Sequence, residues 1–273
     1  MRKLFLNFDK IQTKNHFGEM ALNLFEYQYH NNLTYRSYCN LLNIDISKVK
    51  DENEIPFLPI NFFKSHDINS SMKTPDRTFL SSKTTGEIAS RHPVNDINIY
   101  IKSFKKCFSL FYGKIEDYVL LALLPSYLER QNSSLVFMVN YLIKNTNNPE
   151  SGFYLNNLEE LTKKLIELET KGKKTILLGV SFALLKLSEN FNWKIPNTTI
   201  IETGGMKGMR KELIRSDLHK KLKKAFGVSE IHSEYGMTEI LSQAYSKEKG
   251  VFKCPPWMQI YIRSVNDPFE KLG

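Results

Sequence analysis

The chain has 273 residues, of which 41% are hydrophobic and 25% are charged, so wholesale disorder, a collagen-like repeat and a coiled-coil rod are excluded. The 38 basic and 29 acidic residues leave a formal net charge of +9, but no zinc-finger, homeodomain or RNA-recognition signature accompanies it, and no nucleic-acid partner is expected. No run of 18 apolar residues occurs, so we predict no membrane span.

The beginning of the chain does not resemble a secretory signal. Its apolar run is broken at Asn7, and no small-residue cleavage site follows. The three cysteines, Cys39, Cys107 and Cys254, lie far apart and form no CxxC pair, so neither a disulfide framework nor a zinc site is indicated. We therefore expect a cytoplasmic protein.

Residues 1–75 are predicted to form a helical N-terminal segment that packs on the main domain. Apolar residues recur at spacings of three and four over residues 17–25, and a second, short helix is expected at residues 35–42. Pro56 and Pro59 exclude a regular helix at residues 51–61, which we expect to be extended.

Residues 76–273 are predicted to form one α/β domain, because strand-like and helix-like segments alternate there. The predicted strands are residues 78–81, 118–124, 175–180, 198–201 and 229–233. The predicted helices are residues 95–111, 135–144, 158–169 and 182–189, followed by a basic helix at 207–224. Continuous apolar runs such as 118–124 are typical of strands buried on both faces, which favours a largely parallel sheet. Ligands of such sheets bind beyond the carboxyl ends of the strands, so the loops that leave those ends are the candidate sites.

The first such loop follows the strand at 78–81 and reads Ser81-Ser82-Lys83-Thr84-Thr85-Gly86. Hydroxyl and backbone N–H groups in a turn can form a concavity that binds an anion such as phosphate. The alternative is a surface turn rich in serine and threonine. The GxxxxGK(S/T) spacing of a Walker A loop is absent.

The second loop follows the strand that is predicted to end at Ile201, and it reads Glu202-Thr203-Gly204-Gly205. Paired glycines after a buried strand allow a flat ligand or a phosphate to approach the backbone closely. The alternative is the start of a helix with Thr203 as its cap.

The third loop follows the strand at 229–233 and reads Tyr235-Gly236-Met237-Thr238-Glu239. Its aromatic ring can stack on a base, its glycine allows a sharp turn, and its hydroxyl and carboxylate suit a phosphate with Mg²⁺, a cation that prefers oxygen ligands. The alternative is a capped turn with an exposed glutamate. His92 and His232 lie near these loops and either position an anionic group or have a structural role.

In this order the three loops resemble the signature of the adenylate-forming enzymes, which include acyl-CoA synthetases, nonribosomal peptide adenylation domains and luciferases. That family's phosphate loop reads Ser/Thr-Ser-Gly-Thr-Thr-Gly, and its later motif reads Tyr-Gly-x-Thr-Glu. The match extends to the LuxE-like acyl-protein synthetases, the long-chain-fatty-acid ligase component of the fatty-acid reductase of bacterial bioluminescence. It covers residues 5–269 and rests on Pro56-Phe57-Leu58-Pro59 with Phe63-Lys64, on Leu124-Pro125-Ser126-Tyr127-Leu128, on Glu202-Thr203-Gly204-Gly205-Met206-Lys207-Gly208, and on Tyr235-Gly236-Met237-Thr238-Glu239.

The resemblance implies the large N-terminal domain of an adenylate-forming enzyme, with mostly parallel sheets flanked by helices. It implies a ligase that uses ATP and Mg²⁺ to activate a carboxylic acid, expected to be a fatty acid, as an acyl-adenylate and then transfers the acyl group to a protein thiol. An acyl-reductase protein is an implied partner. The alternatives are an acyl-CoA ligase and a degenerate, non-catalytic protein that binds an acyl group or a nucleotide for such a reductase.

The resemblance also implies roles for individual residues. The pyrophosphate end of ATP would lie against Ser81, Ser82, Thr84, Thr85 and Gly86. The adenine would lie along Gly204 and Gly205 and pack on Tyr235, with Gly236 and Met237 in the same cofactor-binding turn. Thr238 and Glu239 would be catalytic, the first contacting the α-phosphate and the second holding Mg²⁺. An apolar slot for the acyl chain is considered at residues 179–182, with core packing as the alternative.

The sequence departs from the family pattern at two places. Lys83 stands where the family has glycine in the phosphate loop, and a residue with a Cβ atom is strained if the glycine conformation is kept, so we expect weakened or altered ATP handling. The family's ribose-binding aspartate, its hinge, its small C-terminal domain with the catalytic lysine, and its acceptor cysteine would all lie beyond Gly273. The small C-terminal domain is therefore expected to be absent from this sequence.

Overall fold

The structure is a computed structural model, and it describes residues 7–82, 88–125, 132–191, 193–204 and 213–267. The strands in these ranges are β1 (Arg77–Leu80), β2 (Arg91–Val94), β3 (Val119–Leu123), β4 (Gly152–Tyr154), β5 (Thr175–Val180), β6 (Thr198–Thr203), β7 (His232–Gly236) and β8 (Gln243–Ser246). The α-helices are α1 (Lys14–Asn31), α2 (Leu33–Leu41), α3 (Phe62–Ser65), α4 (Ile97–Tyr112), α5 (Ser134–Asn145), α6 (Leu158–Thr170), α7 (Ser181–Glu189) and α8 (Arg215–Phe226).

The main sheet has six strands in the order β4-β3-β5-β6-β7-β8. Its first five strands are parallel, and β8 pairs antiparallel with β7. Strands β1 and β2 form a separate antiparallel pair. The prediction of an α/β fold with a mostly parallel sheet is therefore confirmed.

The order of the strands places a topological switch point between β3 and β5. From β3 the chain crosses to β4 on one side, and from β5 it crosses to β6 on the other side. Right-handed crossovers then place α5 on one face of the sheet and α6, α7 and α8 on the opposite face. The crevice at such a switch point, beyond the carboxyl ends of the strands, is where open α/β sheets bind ligands.

The core explains why the central strands are apolar throughout. Every residue of β3 and β5 is buried, because helices cover both faces of the sheet. Helix α6 contributes Leu161, Leu165 and Leu168, which recur at helical spacing and are fully buried. Burying each such side chain stabilises the fold by roughly 1.5–3 kcal/mol.

The N-terminal segment has a small core of its own. Phe25, Tyr35, Cys39 and Ile55 are buried together, and the Tyr35 hydroxyl donates a hydrogen bond to the backbone oxygen of Pro56 at 2.7 Å. An ion pair of 2.7 Å between Asp9 and Lys102 links this part of the chain to helix α4. A domain boundary at residue 75 stays a prediction.

Several predicted elements need correction at their ends. Strand β6 runs to Thr203, so Glu202 and Thr203 are strand residues and not part of a loop. Strand β7 begins at His232, later than the predicted strand, and includes Tyr235 and Gly236. Strand β6 is longer because Thr203 pairs with Glu234, and β7 is longer because Tyr235 and Gly236 pair with Ala244 and Gln243 of β8.

The basic helix begins later than predicted, at Arg215, and the earlier part of that prediction lies outside the described residues. Its Leu218, Leu222 and Phe226 are buried, as the helical spacing predicts, whereas Ile214 precedes the helix and is exposed. Among the helices that the structure describes, none is long and apolar enough to cross a membrane.

Candidate functional site

The second and third candidate loops lie side by side at the carboxyl ends of β6 and β7. The register pairs Thr203 with Glu234, so Gly204, the next residue after β6, lies next to the strand position of Tyr235. Gly204 has φ 61°, a left-handed conformation that glycine adopts without strain. A glycine is thus needed where the backbone turns away from the sheet.

The first loop is connected to the third loop through strand β2. The backbone N–H of Ser90, just before β2, donates to Ser81 Oγ at 2.8 Å, which holds the start of the first loop against the β1–β2 pair. His92, on β2, has its Nδ1 atom 2.8 Å from the backbone oxygen of Thr238. Because a carbonyl only accepts, the Nδ1 atom carries the proton and donates. Ser81 and Thr238 are therefore held near the same short antiparallel pair.

The environment of His92 favours its neutral form. Burial lowers the pKa of His92, although its hydrogen bond to Thr238 and the nearby Glu239 carboxylate act in the opposite direction. A neutral imidazole with its proton on Nδ1 has the tautomer that this hydrogen bond needs. His92 thus fixes the third loop without contributing a full charge.

The side chains of the third loop are partly accessible. Tyr235 is 41% exposed, its hydroxyl lies 2.9 Å from Met237 Sδ, and its ring meets the Phe252 ring edge-on. Thr238 and Glu239 are half-buried. An accessible aromatic ring, a hydroxyl and a carboxylate therefore lie within five consecutive residues at the carboxyl end of β7.

Not all of the predicted site residues can be placed. Ser81, Ser82, Gly204, Tyr235, Gly236, Met237, Thr238 and Glu239 belong to the described part of the chain. Thr84, Thr85, Gly86 and Gly205 lie outside the described residues, as does Lys83.

A buried carboxylate, Glu202, was not nominated from the sequence. It is 4% exposed, and its Oε1 atom lies 3.2 Å from Arg215 Nε and 3.5 Å from His219 Nε2. Burial alone would raise the pKa of Glu202, but hydrogen bonds from His219, Ser233 and Ser181, together with the Arg215 charge, lower it overall. Glu202 is therefore an ionised group directly before the Gly204 turn.

A second buried carboxyl, Glu234, lies beneath the third loop on the neighbouring strand. It accepts a hydrogen bond from Thr203 Oγ1, and burial raises the pKa of Glu234 to about 7. A Cβ atom on Gly236 would lie 2.7 Å from Glu234 Oε1, so the glycine leaves the space that this carboxyl occupies. An acidic residue directly after a predicted strand is the sequence signal that could have identified both glutamates.

The region considered for an acyl slot is closely packed where the structure describes it. A Cβ atom on Gly179 would lie 2.8 Å from Leu184 Cγ, so this glycine allows helix α7 to approach strand β5. Val180 and Ser181 are buried, and Ser181 hydrogen-bonds to Glu202 and to Gly204. These contacts favour the packing alternative for this segment.

Solved structures of one ligase share this fold. 2-Hydroxyisobutyryl-CoA ligase in the postadenylation state, in complex with R3-HIB-AMP, superposes with a TM-score of 0.64 at 11% sequence identity, over 96% of this chain and 58% of that one. The same ligase with 2-HIB-AMP and CoA, in the thioesterification state, gives a TM-score of 0.66 at 12% identity, again over 96% and 58%. The chain thus spans 58% of the length of these ligase structures, and at such low identity the likeness shows the fold alone.

Comparison by sequence gives a more specific result. No curated protein sequence matches the chain. The family model described as acyl-protein synthetase, LuxE, matches residues 5–271, which is nearly the whole chain and confirms the resemblance seen in the motifs. The chain belongs to the LuxE acyl-protein synthetase family.

Proposed function

We propose that this chain binds ATP and a carboxylic acid for a ligase reaction that forms an acyl-adenylate and transfers the acyl group to a thiol. In the first step the carboxylate attacks the α-phosphate of ATP and pyrophosphate leaves. In the second step the thiol attacks the acyl carbonyl and AMP leaves. Membership of the LuxE family and the adenylate-forming fold support this assignment.

One observation carries the proposal, namely that the start of the first loop, the Gly204 turn and the third loop, which are far apart in the sequence, are linked at one end of the sheet. The hydrogen bond between His92 and Thr238 joins the β1–β2 pair to the third loop. The pairing of Thr203 with Glu234 brings the second loop beside the third. A nucleotide that spans several motifs needs this arrangement, because its base and its phosphates must be contacted together.

The proposed roles follow from the chemistry of each loop. Ser81 and Ser82 begin the loop for the pyrophosphate end of ATP, Gly204 lies along the adenine, and the accessible ring of Tyr235 stacks on it. Thr238 contacts the α-phosphate. Hydroxyl and backbone donors at this position would stabilise the negative charge that accumulates as a carboxylate approaches a phosphate.

The residues present fit a Mg²⁺ ion that arrives with the nucleotide. Mg²⁺ is commonly held by one or two carboxylates together with substrate phosphates and water. Among the described residues, no three His, Cys, Asp or Glu side chains are grouped closely enough to hold a metal ion by themselves. Glu239, a single half-buried carboxylate, suits a Mg²⁺ ion that is also held by the phosphates of the substrate. The ion would neutralise charge at these phosphates.

The acid is proposed to be a fatty acid and the acceptor a protein thiol, because the chain belongs to the LuxE family. Coenzyme A is the alternative acceptor, since the structurally similar ligase was solved with CoA. An acyl-reductase protein is the proposed partner, and the cytoplasm the proposed location.

The test is pyrophosphate release from MgATP, measured with carboxylic acids of increasing chain length. We expect release that depends on the acid, and a decrease of at least ~10-fold in the variants Glu239→Gln and Thr238→Val, since groups that stabilise transition-state charge contribute at least this much. Glu159→Gln, on the exposed side of α6, is the matched control and should behave like the wild type. Pyrophosphate release that does not depend on the added acid, or that is unchanged in both site variants, contradicts the proposal.

A second candidate function is favoured by Lys83, which replaces the glycine of the family's phosphate loop. In this alternative the chain is a degenerate protein that binds a nucleotide or an acyl group without chemistry of its own. Stabilisation by MgATP without pyrophosphate release, together with capture of a reductase, would support it. An ATP–pyrophosphate exchange assay of Lys83→Gly tests the role of the lysine, because loss of exchange in this variant contradicts the view that Lys83 weakens ATP handling.

A further inference from the structure

Ser181 begins helix α7 directly after strand β5, one of the two strands that flank the switch point of the sheet. It is 3% exposed, and its neighbour Val180 pairs with Thr203 on β6. The Ser181 Oγ atom lies 2.6 Å from the backbone oxygen of Gly204 and 2.8 Å from Glu202 Oε2. One hydroxyl therefore contacts both the Gly204 turn and the buried carboxylate that precedes it.

The Ser181 hydroxyl has fewer protons to donate than it has acceptors nearby. Ser181 has one O–H proton, and both of its neighbours, an ionised carboxylate and a peptide oxygen, only accept hydrogen bonds. The two acceptors thus compete for a single donor. The position of the Glu202 carboxylate consequently decides how well the Gly204 oxygen is held.

Helix α8 fixes the position of Glu202. Arg215 Nε and His219 Nε2 approach its Oε1 atom at 3.2 and 3.5 Å and leave Oε2 directed to Ser181. Arg215 is itself held over the Phe252 ring at 4.9 Å. The carboxylate is thereby anchored on one side by Arg215 and His219 and on the other by the hydroxyl.

We propose that Ser181 is a positioning residue for the nucleotide, which it never contacts directly. Its one hydroxyl proton is shared between Glu202 and the carbonyl of Gly204, and this shared hydrogen bond holds the carbonyl so that the left-handed turn at Gly204 faces the adenine. This inference rests on the proposed binding of ATP at that turn. Because Ser181 acts only at the adenine, its substitution should change the affinity for the nucleotide and leave the affinity for the carboxylic acid unchanged.

The test compares Ser181→Ala, Ser181→Thr and Ser181→Val. Threonine keeps the hydroxyl, whereas valine has the same shape without it, so this pair isolates the hydrogen bond from any effect of branching at Cβ. The measurements are the Kd of MgATP by titration calorimetry, and KM for ATP, KM for the acid and kcat from pyrophosphate release. We expect a ~5- to 30-fold rise in Kd and in KM for ATP with alanine and valine, the fold-change that corresponds to the loss of one hydrogen bond of this kind. With threonine both values should stay within ~3-fold of the wild type, and KM for the acid should not change.

The matched control is Ser188→Ala on the same helix, where Ser188 Oγ donates to the backbone oxygen of Leu185 at 2.7 Å. This change removes one hydrogen bond from serine to a backbone oxygen, distant from the Gly204 turn, and should leave the Kd of MgATP unaltered. Thermal midpoints of all variants separate loss of folding from loss of affinity. A Kd of wild-type magnitude in Ser181→Ala, or equal Kd values for the threonine and valine variants, overturns the inference. Wild-type protein that binds no MgATP overturns the proposed function as well.

Discussion

Glu234 provides a direct test of the electrostatics beneath the candidate site. Its carboxyl is buried and accepts a hydrogen bond from the Thr203 hydroxyl, and burial raises the pKa of Glu234 from 4.5 to about 7. At ~1.4 kcal/mol per pKa unit, this difference corresponds to a contribution of about 3 kcal/mol to the pH dependence of the free energy of unfolding. The variant Glu234→Gln keeps an oxygen for Thr203 and cannot ionise.

The sign of the effect follows from the number of bound protons. Between pH 4.5 and about 7 native Glu234 keeps a proton that the unfolded chain has released, so this group makes the unfolding free energy fall as the pH rises. Below that window both states are protonated, and above it both are ionised. We therefore expect the stability of Glu234→Gln relative to the wild type to increase by about 3 kcal/mol from pH 4.5 to pH 8.

The assay is urea unfolding of both proteins at several pH values across this range, because the difference between them cancels the titration of all other groups. Ser188→Ala, which removes no ionisable group, serves as the control and should show a difference that does not change with pH. A difference between Glu234→Gln and the wild type that is flat from pH 4.5 to 8, or that decreases, refutes the reasoning.

Three further substitutions test the geometry of the site. In Gly236→Ala the new Cβ atom meets Glu234 Oε1 at 2.7 Å, so we expect the urea unfolding free energy to fall by about 1–3 kcal/mol. In Gly204→Ala the left-handed φ of 61° becomes strained by about 1–2 kcal/mol, and a weaker affinity for MgATP should accompany the lower thermal midpoint. In His92→Ala the donor to Thr238 is lost, and acid-dependent pyrophosphate release should fall by ~10-fold, the effect of losing one hydrogen bond of ~1.4 kcal/mol. Asparagine at this position keeps a donor and should restore part of the rate.

The sequence predicts the centre of the sheet well and its edges poorly, and the reason is burial. Strands β3 and β5 are covered on both faces, so they must be apolar throughout and are recognisable from the residues alone. Strand β8 is also fully buried, yet it contains Gln243, whose amide nitrogen donates to the Tyr100 hydroxyl, and Ser246, whose hydroxyl donates to the backbone oxygen of Glu248. Strand β2 contains Pro93, which argues against a strand unless the position lies at an edge.

The sequence also predicts the loops of the candidate site better than it predicts the contacts beneath them. Its loops are recognisable from the glycines, hydroxyls and carboxylate that each segment contains. The contacts beneath the loops depend on residues that meet only when strands pair, such as Thr203 with Glu234 and His92 with Thr238. A pattern within one segment cannot indicate a partner that lies 31 or 146 residues away.

Glu202 and Glu234 are two carboxyls on neighbouring strands, and their surroundings move their pKa values in opposite directions. Arg215 and His219 offset the burial of Glu202 and keep it ionised, whereas Glu234 has a hydroxyl and the repulsive charge of Glu202 nearby. Two carboxyls whose surroundings give them different pKa values differ in charge and can have different roles. The charged group can orient hydrogen bonds at the Gly204 turn, and Glu234, which is protonated below about pH 7, leaves the adjoining third loop less negative in that range. The proposed triphosphate site needs both properties, because each uncompensated carboxylate near the phosphates would weaken their binding.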